Sequence, residues 1–273
     1  MKKCIKTEIP QEKPSSLWHY TSFETLTHIL DTNNECMENR RMLSLHFGNL
    51  LQTNDLKEVH FFEEYVYKHK GGEKLKETIE TIRPNIGYPF SFSLIHHKEI
   101  VKKYPSFEIP MWKMYGKNFC GVRLKFNYKK MKEYCKSFSD IDLKKCQYYS
   151  KTQMEDRGKT IRKTYQDEET VIANLESVYK DSVVYKTYDW VYENEWRIVK
   201  WVKDINMVDY SRETGRLYIK QEIPLDCLEI IEIGPKADQT AFHNSLDLIQ
   251  KKLGAKGDNH FKIKNSELQI GYI

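Results

Sequence analysis

Ten residues, Tyr192-Glu193-Asn194-Glu195-Trp196-Arg197-Ile198-Val199-Lys200-Trp201, constrain this chain more than any other stretch. Aromatic and β-branched residues crowd it, which favours a strand over a helix. Side chains alternate along a strand, so Glu193 and Glu195 are expected on one face and Trp196 and Ile198 on the other. Burial of Trp196 and Ile198 would anchor the strand in a core. The two carboxylates would then stand side by side on a rigid frame, repelling each other unless something uses or neutralises them. Paired carboxylates can stabilise a cationic transition state or direct a proton, as in glycosyl transfer. They can also be two solvated glutamates on the wet face of an edge strand. The segment alone leaves both readings open.

The rest of the composition narrows the setting. A chain of 273 residues suffices for one large domain or two small ones. Hydrophobic residues make up 40% and aromatics 13%, enough for a real core. The mean hydropathy of -0.70 points to a soluble protein, and no apolar run nears the ~20 residues that span a bilayer. Two lysines open the segment Met1 to Pro14 with no apolar stretch behind them, so it does not read as a secretory signal. Six scattered cysteines (Cys4, Cys36, Cys120, Cys135, Cys146, Cys227) include no C-x-x-C pair. They suggest neither a disulfide framework nor a zinc site and suit a reducing cytoplasm. Histidines such as His96-His97 lack partners at ligand spacing, so no metal is expected.

Charge is unevenly spread. Residues 113–163 hold 15 Lys+Arg against 5 Asp+Glu, a net +10, which leaves 29 against 34, a net -5, for the remainder of a +5 chain. Tyr115, Tyr128, Tyr134, Tyr148 and Tyr149 are interleaved with these cations. Basic and aromatic residues in alternation suit a nucleic-acid surface, through phosphate neutralisation and base stacking. Lys125, Lys129, Lys130 and Lys132 are the candidate contacts. A solvated, lysine-rich helical hairpin accounts for the pattern equally well.

Read along the chain, Leu17 to Thr21 is a short buried strand. Ser22 caps a helix over Phe23 to Leu30. Further strands are expected at Met42–Leu45, Pro89–Leu94, Gly121–Phe126, Val183–Tyr185, Glu193–Trp201, Gly215–Gln221 and Leu228–Ile233. Helices are expected near Leu56–Tyr67, from Gly72 to about Ile82, at Pro110–Tyr115 and at Thr240–Leu253. Tyr128 to about Tyr179 reads as mostly helical, and Phe261 to Ile273 as one more strand. With no repeat and no low-complexity linker, the expectation is a single α+β domain over 1–273, with residues 113–180 forming a basic, mostly helical insertion.

No P-loop, dinucleotide fingerprint, nucleophile elbow or H-E-x-x-H is present. What the chain does carry is an ordered series of blocks. Trp18-His19-Tyr20-Thr21-Ser22 is followed by Asn54-Asp55, Phe90-Ser91-Phe92-Ser93, Met111-Trp112 with Tyr115-Gly116, Gly121–Phe126, and Glu193-x-Glu195-Trp196-Arg197. In this order they resemble the bacterial family known only as domain of unknown function 2971, over roughly residues 17–236. That family in turn remotely resembles the ADP-ribosyltransferase fold, a split β-sheet whose cleft binds NAD.

The resemblance implies an NAD-dependent mono-ADP-ribosyltransferase, toxin-like or acting in phage defence. It places Glu195 as the catalytic glutamate, Glu193 as the accessory acid, His19 as the first-strand histidine and Tyr115 as the aromatic residue, with Tyr104 as its rival. Tyr20, Thr21, Ser91, Ser93 and Arg197 join His19 and Tyr115 as candidate NAD contacts. The chemistry is compatible: cleaving nicotinamide from NAD passes through an oxocarbenium-like ribosyl cation, and a fixed carboxylate stabilises such charge. Ser91 and Ser93 could brace Glu195. Arg197 could meet the pyrophosphate or simply neutralise Glu195. The acceptor implied by the basic segment is nucleic acid, RNA above all, with protein as the other choice. A toxic enzyme of this kind implies a neutralising antitoxin. From a different class, the chain could be a non-catalytic nucleic-acid-binding or sensor module on a degenerate transferase scaffold. A nuclease is disfavoured, since no acid or histidine cluster offers a metal site.

Overall fold

The computed structural model describes residues 13–30, 42–52, 87–96, 108–164, 180–212, 214–252 and 261–268, with single positions at 77, 81 and 177. Asn54-Asp55, the expected helices between residues 56 and 82, His97, Tyr104 and the stretch 171–176 lie outside the described residues.

The architecture follows from one strand. β3 (Tyr88–Ile95) is YPFSFSLI, and seven of its eight side chains are at least half-buried. One of its edges pairs antiparallel along its whole length with β8 (Glu195–Val202), from Tyr88↔Val202 to Ile95↔Glu195. The other edge is shared. β2 (Met42–Asn49) meets it at Ser91 and Phe90, while β1 (Ser16–Thr21) meets it at Ile95. The two neighbours therefore leave β3 between them, and the sheet parts around Ser93.

Beyond β1 the sheet continues through β4 (Val122–Asn127), β11 (Leu228–Ile233) and β12 (Lys262–Asn265); beyond β2 it continues through β10 (Leu217–Pro224) to β9 (Asp209–Tyr210). β5 (Ile141–Lys145) lies outside β8. The β11–β12 pair is parallel and the other pairings are antiparallel, so the sheet is mixed. A separate parallel pair joins β6 (Gln147–Tyr149) to β7 (Tyr185–Thr187).

Helices cover the apolar faces. α1 (Phe23–Leu30) starts where Ser22 Oγ accepts from the Thr25 backbone N–H at 3.1 Å, and it buries Leu26, Ile29 and Leu30. That spacing is the apolar stripe of a surface helix. α3 (Tyr128–Lys136), capped by Asn127, buries Met131 and Cys135 in the same core, and α5 (Gln239–Lys252) adds Leu246. Trp196 and Ile198 join this core, as the sequence pattern required. A smaller cluster of Tyr20, Ile95, Met111, Trp112 and Phe119 seats α2 (Glu108–Met114) on the other face of β1. The result is one mixed α/β domain.

Two expectations need correction. Residues 113–180 are not set apart as a helical insertion. They supply β4, which lies inside the main sheet between β1 and β11, then β5 and β6, as well as α3 and α4 (Lys151–Thr164). The Leu124 and Phe126 side chains on β4 are fully buried, which fixes this segment as core despite its net charge. The strand placed at Glu193–Trp201 begins instead at Glu195. Glu193 closes a 3₁₀ turn over Tyr188–Glu193, and Asn194 turns the chain in the left-handed region at φ 43°. Asn adopts that conformation more readily than other non-glycine residues.

The loop after α2 shows where packing leaves no freedom. Lys117, Asn118 and Phe119 all have positive φ, and the loop closes through a Gly121 N–H to Gly116 carbonyl bond of 2.9 Å. A Cβ on Gly121 would stand 2.3 Å from the Thr21 carbonyl oxygen. Gly121→Ala is expected to cost about 1–3 kcal/mol by overpacking against backbone. Gly48→Ala, whose new Cβ meets nothing within 4 Å, is expected to leave stability unchanged or slightly raised. Chemical denaturation of the two variants checks the contrast.

Candidate functional site

The parting of the sheet is where the chemistry gathers. Ser91, Ser93 and Ile95 project to one face of β3 by strand alternation. They line a cavity of about 260 Å³ together with His19, Tyr115, Lys186, Glu193, Glu195 and Arg197, among other residues. Groups far apart in sequence thus converge from β1, β3, β7, β8 and the end of α2.

Glu195 sits deepest. Its Oε1 accepts from Ser93 Oγ at 2.5 Å and from Arg197 Nε at 2.9 Å; its Oε2 accepts from an Arg197 terminal nitrogen and from Lys186 Nζ, both at 2.9 Å. Cys146 Sγ adds a weaker contact at 3.6 Å, and the Glu195 backbone N–H donates to Tyr148 Oη at 2.7 Å. Burial alone would resist ionisation. The Arg197 guanidinium and the Lys186 ammonium outweigh it and hold this carboxyl well below the usual range.

Glu193 is held more lightly. Tyr115 Oη donates to its Oε1 at 2.6 Å and Lys186 Nζ to its Oε2 at 2.5 Å. Burial pushes its pKa up; Lys186 opposes that rise and the neighbouring Glu195 charge adds to it. Burial and the adjacent Glu193 also raise the Tyr115 pKa, which keeps the phenol a hydrogen donor. The two acids therefore share a site and an ammonium although they do not share a strand.

His19 closes the gap between β1 and β2. Its Nδ1 lies 2.9 Å from the Ser93 carbonyl, and its ring stacks on Phe92 with centroids 4.1 Å apart. Burial lowers its pKa to about 4, against the smaller upward pull of the Ser93 bond. A neutral ring that donates through Nδ1 keeps Nε2 as an acceptor.

The remaining expected residues are divided. Tyr20 lines the cavity, but its hydroxyl accepts from Arg123 at 3.0 Å. Arg123 also pairs with Glu108 at 3.0 Å and Glu232 at 2.7 Å, which ties the first residue of α2 to the sheet. That tie fixes the helix whose far end presents Tyr115. Thr21 is buried at the end of β1 and is not a wall of the cavity. Ser91 lines it from the same face of β3 as Ser93. Arg197 lines the cavity and is engaged by Glu195 at 2.9 Å and by the Val183 carbonyl at 2.7 Å.

None of Lys125, Lys129, Lys130 and Lys132 lines the cavity. Lys125 pairs with Glu229 at 3.1 Å and Lys130 with Asp226 at 3.2 Å, while Lys132 lies 5.8 Å above the Tyr128 ring. Acids on neighbouring elements thus offset part of the charge that the local count gave to this segment. Among the described residues no group of three or more His, Cys, Asp or Glu is arranged to hold a metal, and no helix is long and apolar enough to cross a membrane.

Sequence reading missed Lys186, Trp190 and Arg216, all of which line the cavity. Lys186 follows a short apolar run, Val183-Val184-Tyr185, and nothing in its neighbours marks it. Trp190 lies under it, with the ammonium 5.2 Å from the ring centroid. The Asn between two glutamates was a usable signal, since E-N-E suggests a left-handed turn as readily as a strand.

The fold and site define a mixed α/β protein with a carboxylate-bearing cavity at a parting of its sheet. The family described as "Protein of unknown function (DUF2971)" matches residues 111–198. The matched segment carries Tyr115, Lys186, Glu193, Glu195 and Arg197, while His19 and Ser93 lie outside it. No curated protein and no solved structure matches the chain.

The neutral His19 yields a pH prediction. Its folded pKa near 4 lies below its ordinary value of 6.5, so the unfolded chain takes up a proton first as pH falls. The stability His19 contributes is present above pH 6.5 and is lost towards pH 4. His19→Gln is expected to flatten the decline in melting temperature over that window relative to wild type.

Proposed function

We propose that this cavity binds NAD as a substrate and that the protein is a mono-ADP-ribosyltransferase of the toxin-like kind, acting in phage defence. The observation that supports the reading best is the meeting of His19, Tyr115 and the Glu193/Glu195 pair around one cavity. A sheet that parts between β1 and β2 is also what a split-sheet transferase core needs. In the reaction, the bond from nicotinamide nitrogen to ribose C1′ breaks and its electron pair leaves with neutral nicotinamide. An acceptor nucleophile then bonds to C1′ and gives up its proton. A carboxylate beside the ribose stabilises the cationic carbon. His19 Nε2 accepts from a ribose hydroxyl, and the Tyr115 ring packs on nicotinamide.

At about 260 Å³ the cavity falls just below the ~300–1,000 Å³ usual for a small-molecule site. It suits the nicotinamide-ribose half, with the adenylate half directed past Arg216. RNA is the favoured acceptor and protein the other, with Lys129 and Lys130 the exposed members of the basic candidates. An antitoxin partner follows from the toxin-like reading, and cytoplasmic NAD would be the supply.

A second reading is favoured by one specific observation: Glu195 is surrounded by donors. A non-catalytic sensor module that binds nucleic acid would keep such a carboxylate purely as structure. It predicts no NAD turnover and binding that weakens steeply with salt.

Purified wild type is expected to release nicotinamide from NAD and to leave ADP-ribose on RNA or protein, detected by mass spectrometry. Gly48→Leu, which projects a side chain from a position on the cavity wall into open space, is expected to weaken NAD binding at least ~10-fold with little change in melting temperature. Wild type that leaves NAD intact in the presence of total RNA and protein contradicts the transferase reading.

A further inference from the structure

We infer that Lys186 is an additional positioning residue of this site, and that Glu193, rather than Glu195, is the carboxylate it leaves facing the ligand. The inference rests on the cavity being a ligand site, as proposed above, but its geometry stands apart from NAD.

Acceptor counting carries the argument. An ionised carboxylate has about four lone-pair sites. Glu195 receives four strong donors, from Ser93, Lys186 and two nitrogens of Arg197, before the Cys146 thiol is added. It has no acceptor capacity left for a ribose hydroxyl. Among the described residues Glu193 receives two donors, from Tyr115 and Lys186, which leaves about half its capacity. Both acids are 2% exposed, so neither is satisfied by bulk water.

Lys186 makes the difference. Its ammonium reaches both acids, at 2.5 Å and 2.9 Å, from β7, a strand outside the main sheet. Without it, two adjacent buried carboxylates would face each other with Arg197 serving only Glu195. One of them would take up a proton or turn away. With it, Glu193 can remain an acceptor at a fixed place, held from one side by the ammonium and from the other by the Tyr115 phenol.

The test has two arms. In the first, ¹³C-labelled glutamate side chains are followed by NMR through a pH titration of wild type, Lys186→Met and Lys186→Arg, with no nucleotide present. The Glu193 signal, assigned by its loss in Glu193→Gln, is expected to titrate at least about one pH unit higher in Lys186→Met, and to return towards wild type in Lys186→Arg. An unmoved midpoint in Lys186→Met overturns the positioning role. Should Lys186→Met fail to fold, Lys186→Arg decides alone: a large displacement of the Glu193 midpoint despite retained charge contradicts the inference, and a small one supports it.

In the second arm, NAD turnover and binding are compared in Glu193→Gln and in wild type. A loss of turnover of ~100-fold or more with the fold intact supports Glu193 as the ligand-facing acid, and unchanged turnover overturns it. Wild type without any NAD turnover contradicts the transferase proposal, while the first arm still judges Lys186.

Discussion

A single buried ammonium shared by two carboxylates is the interaction on which the site depends. Lys186 is 6% exposed and Glu193 and Glu195 2% each, so all three charges have left water at a cost of several kcal/mol per ion. That cost is offset only because the pairing is nearly complete on one side. Arg197 meets Glu195 in a two-nitrogen fork, Ser93 adds a hydroxyl, and the β3–β8 ladder sets these two donors opposite each other as Ser93↔Arg197. The incomplete side, Glu193, is where the protein has polar capacity to spare.

The scaffold explains why such a centre can sit here at all. β3 is covered on one edge by β8 and shared on the other by β1 and β2, so Ser93, midway between the Ser91 and Ile95 contacts, meets no strand on that edge. His19 supplies the missing donor, and the cavity opens beside it. On the far side, the Arg123 cluster ties Glu108 and Glu232 together, seating α2 so that Tyr115 reaches Glu193. Site and core are therefore coupled: the strands that bury Leu94, Trp196 and Ile198 are the same strands that aim Ser93 and Glu195.

Much of this was legible in the sequence because alternation along β3 and β8 is strong. The pattern of Phe90-Ser91-Phe92-Ser93 assigns two serines to one face, and one of them does brace Glu195. The helix signals at Ser22 and at Thr240–Leu253 were equally plain, and the structure places the second helix at Gln239–Lys252. What could not be read were contacts set by tertiary geometry. Glu193 was placed on the strand because the aromatic and β-branched residues around it outweigh the one local hint, Asn194, that the chain turns there. Lys186 was invisible because its partners lie on elements whose approach only the fold decides. The basic segment was read as an insertion because net charge masked the fully buried Leu124 and Phe126 of β4. Its lysines looked unopposed only while Asp226 and Glu229 were far away in sequence.

The unequal burden on the two acids is tested most directly by equilibrium unfolding of Glu195→Gln and Glu193→Gln at pH 7. Glu195 stabilises the fold in its ionised form and is surrounded by donors, so its loss should cost about 3–5 kcal/mol. Burial raises the Glu193 pKa, so its neutral replacement should cost less than about 1 kcal/mol or raise stability. Equal losses, or a larger loss at Glu193, would contradict the account.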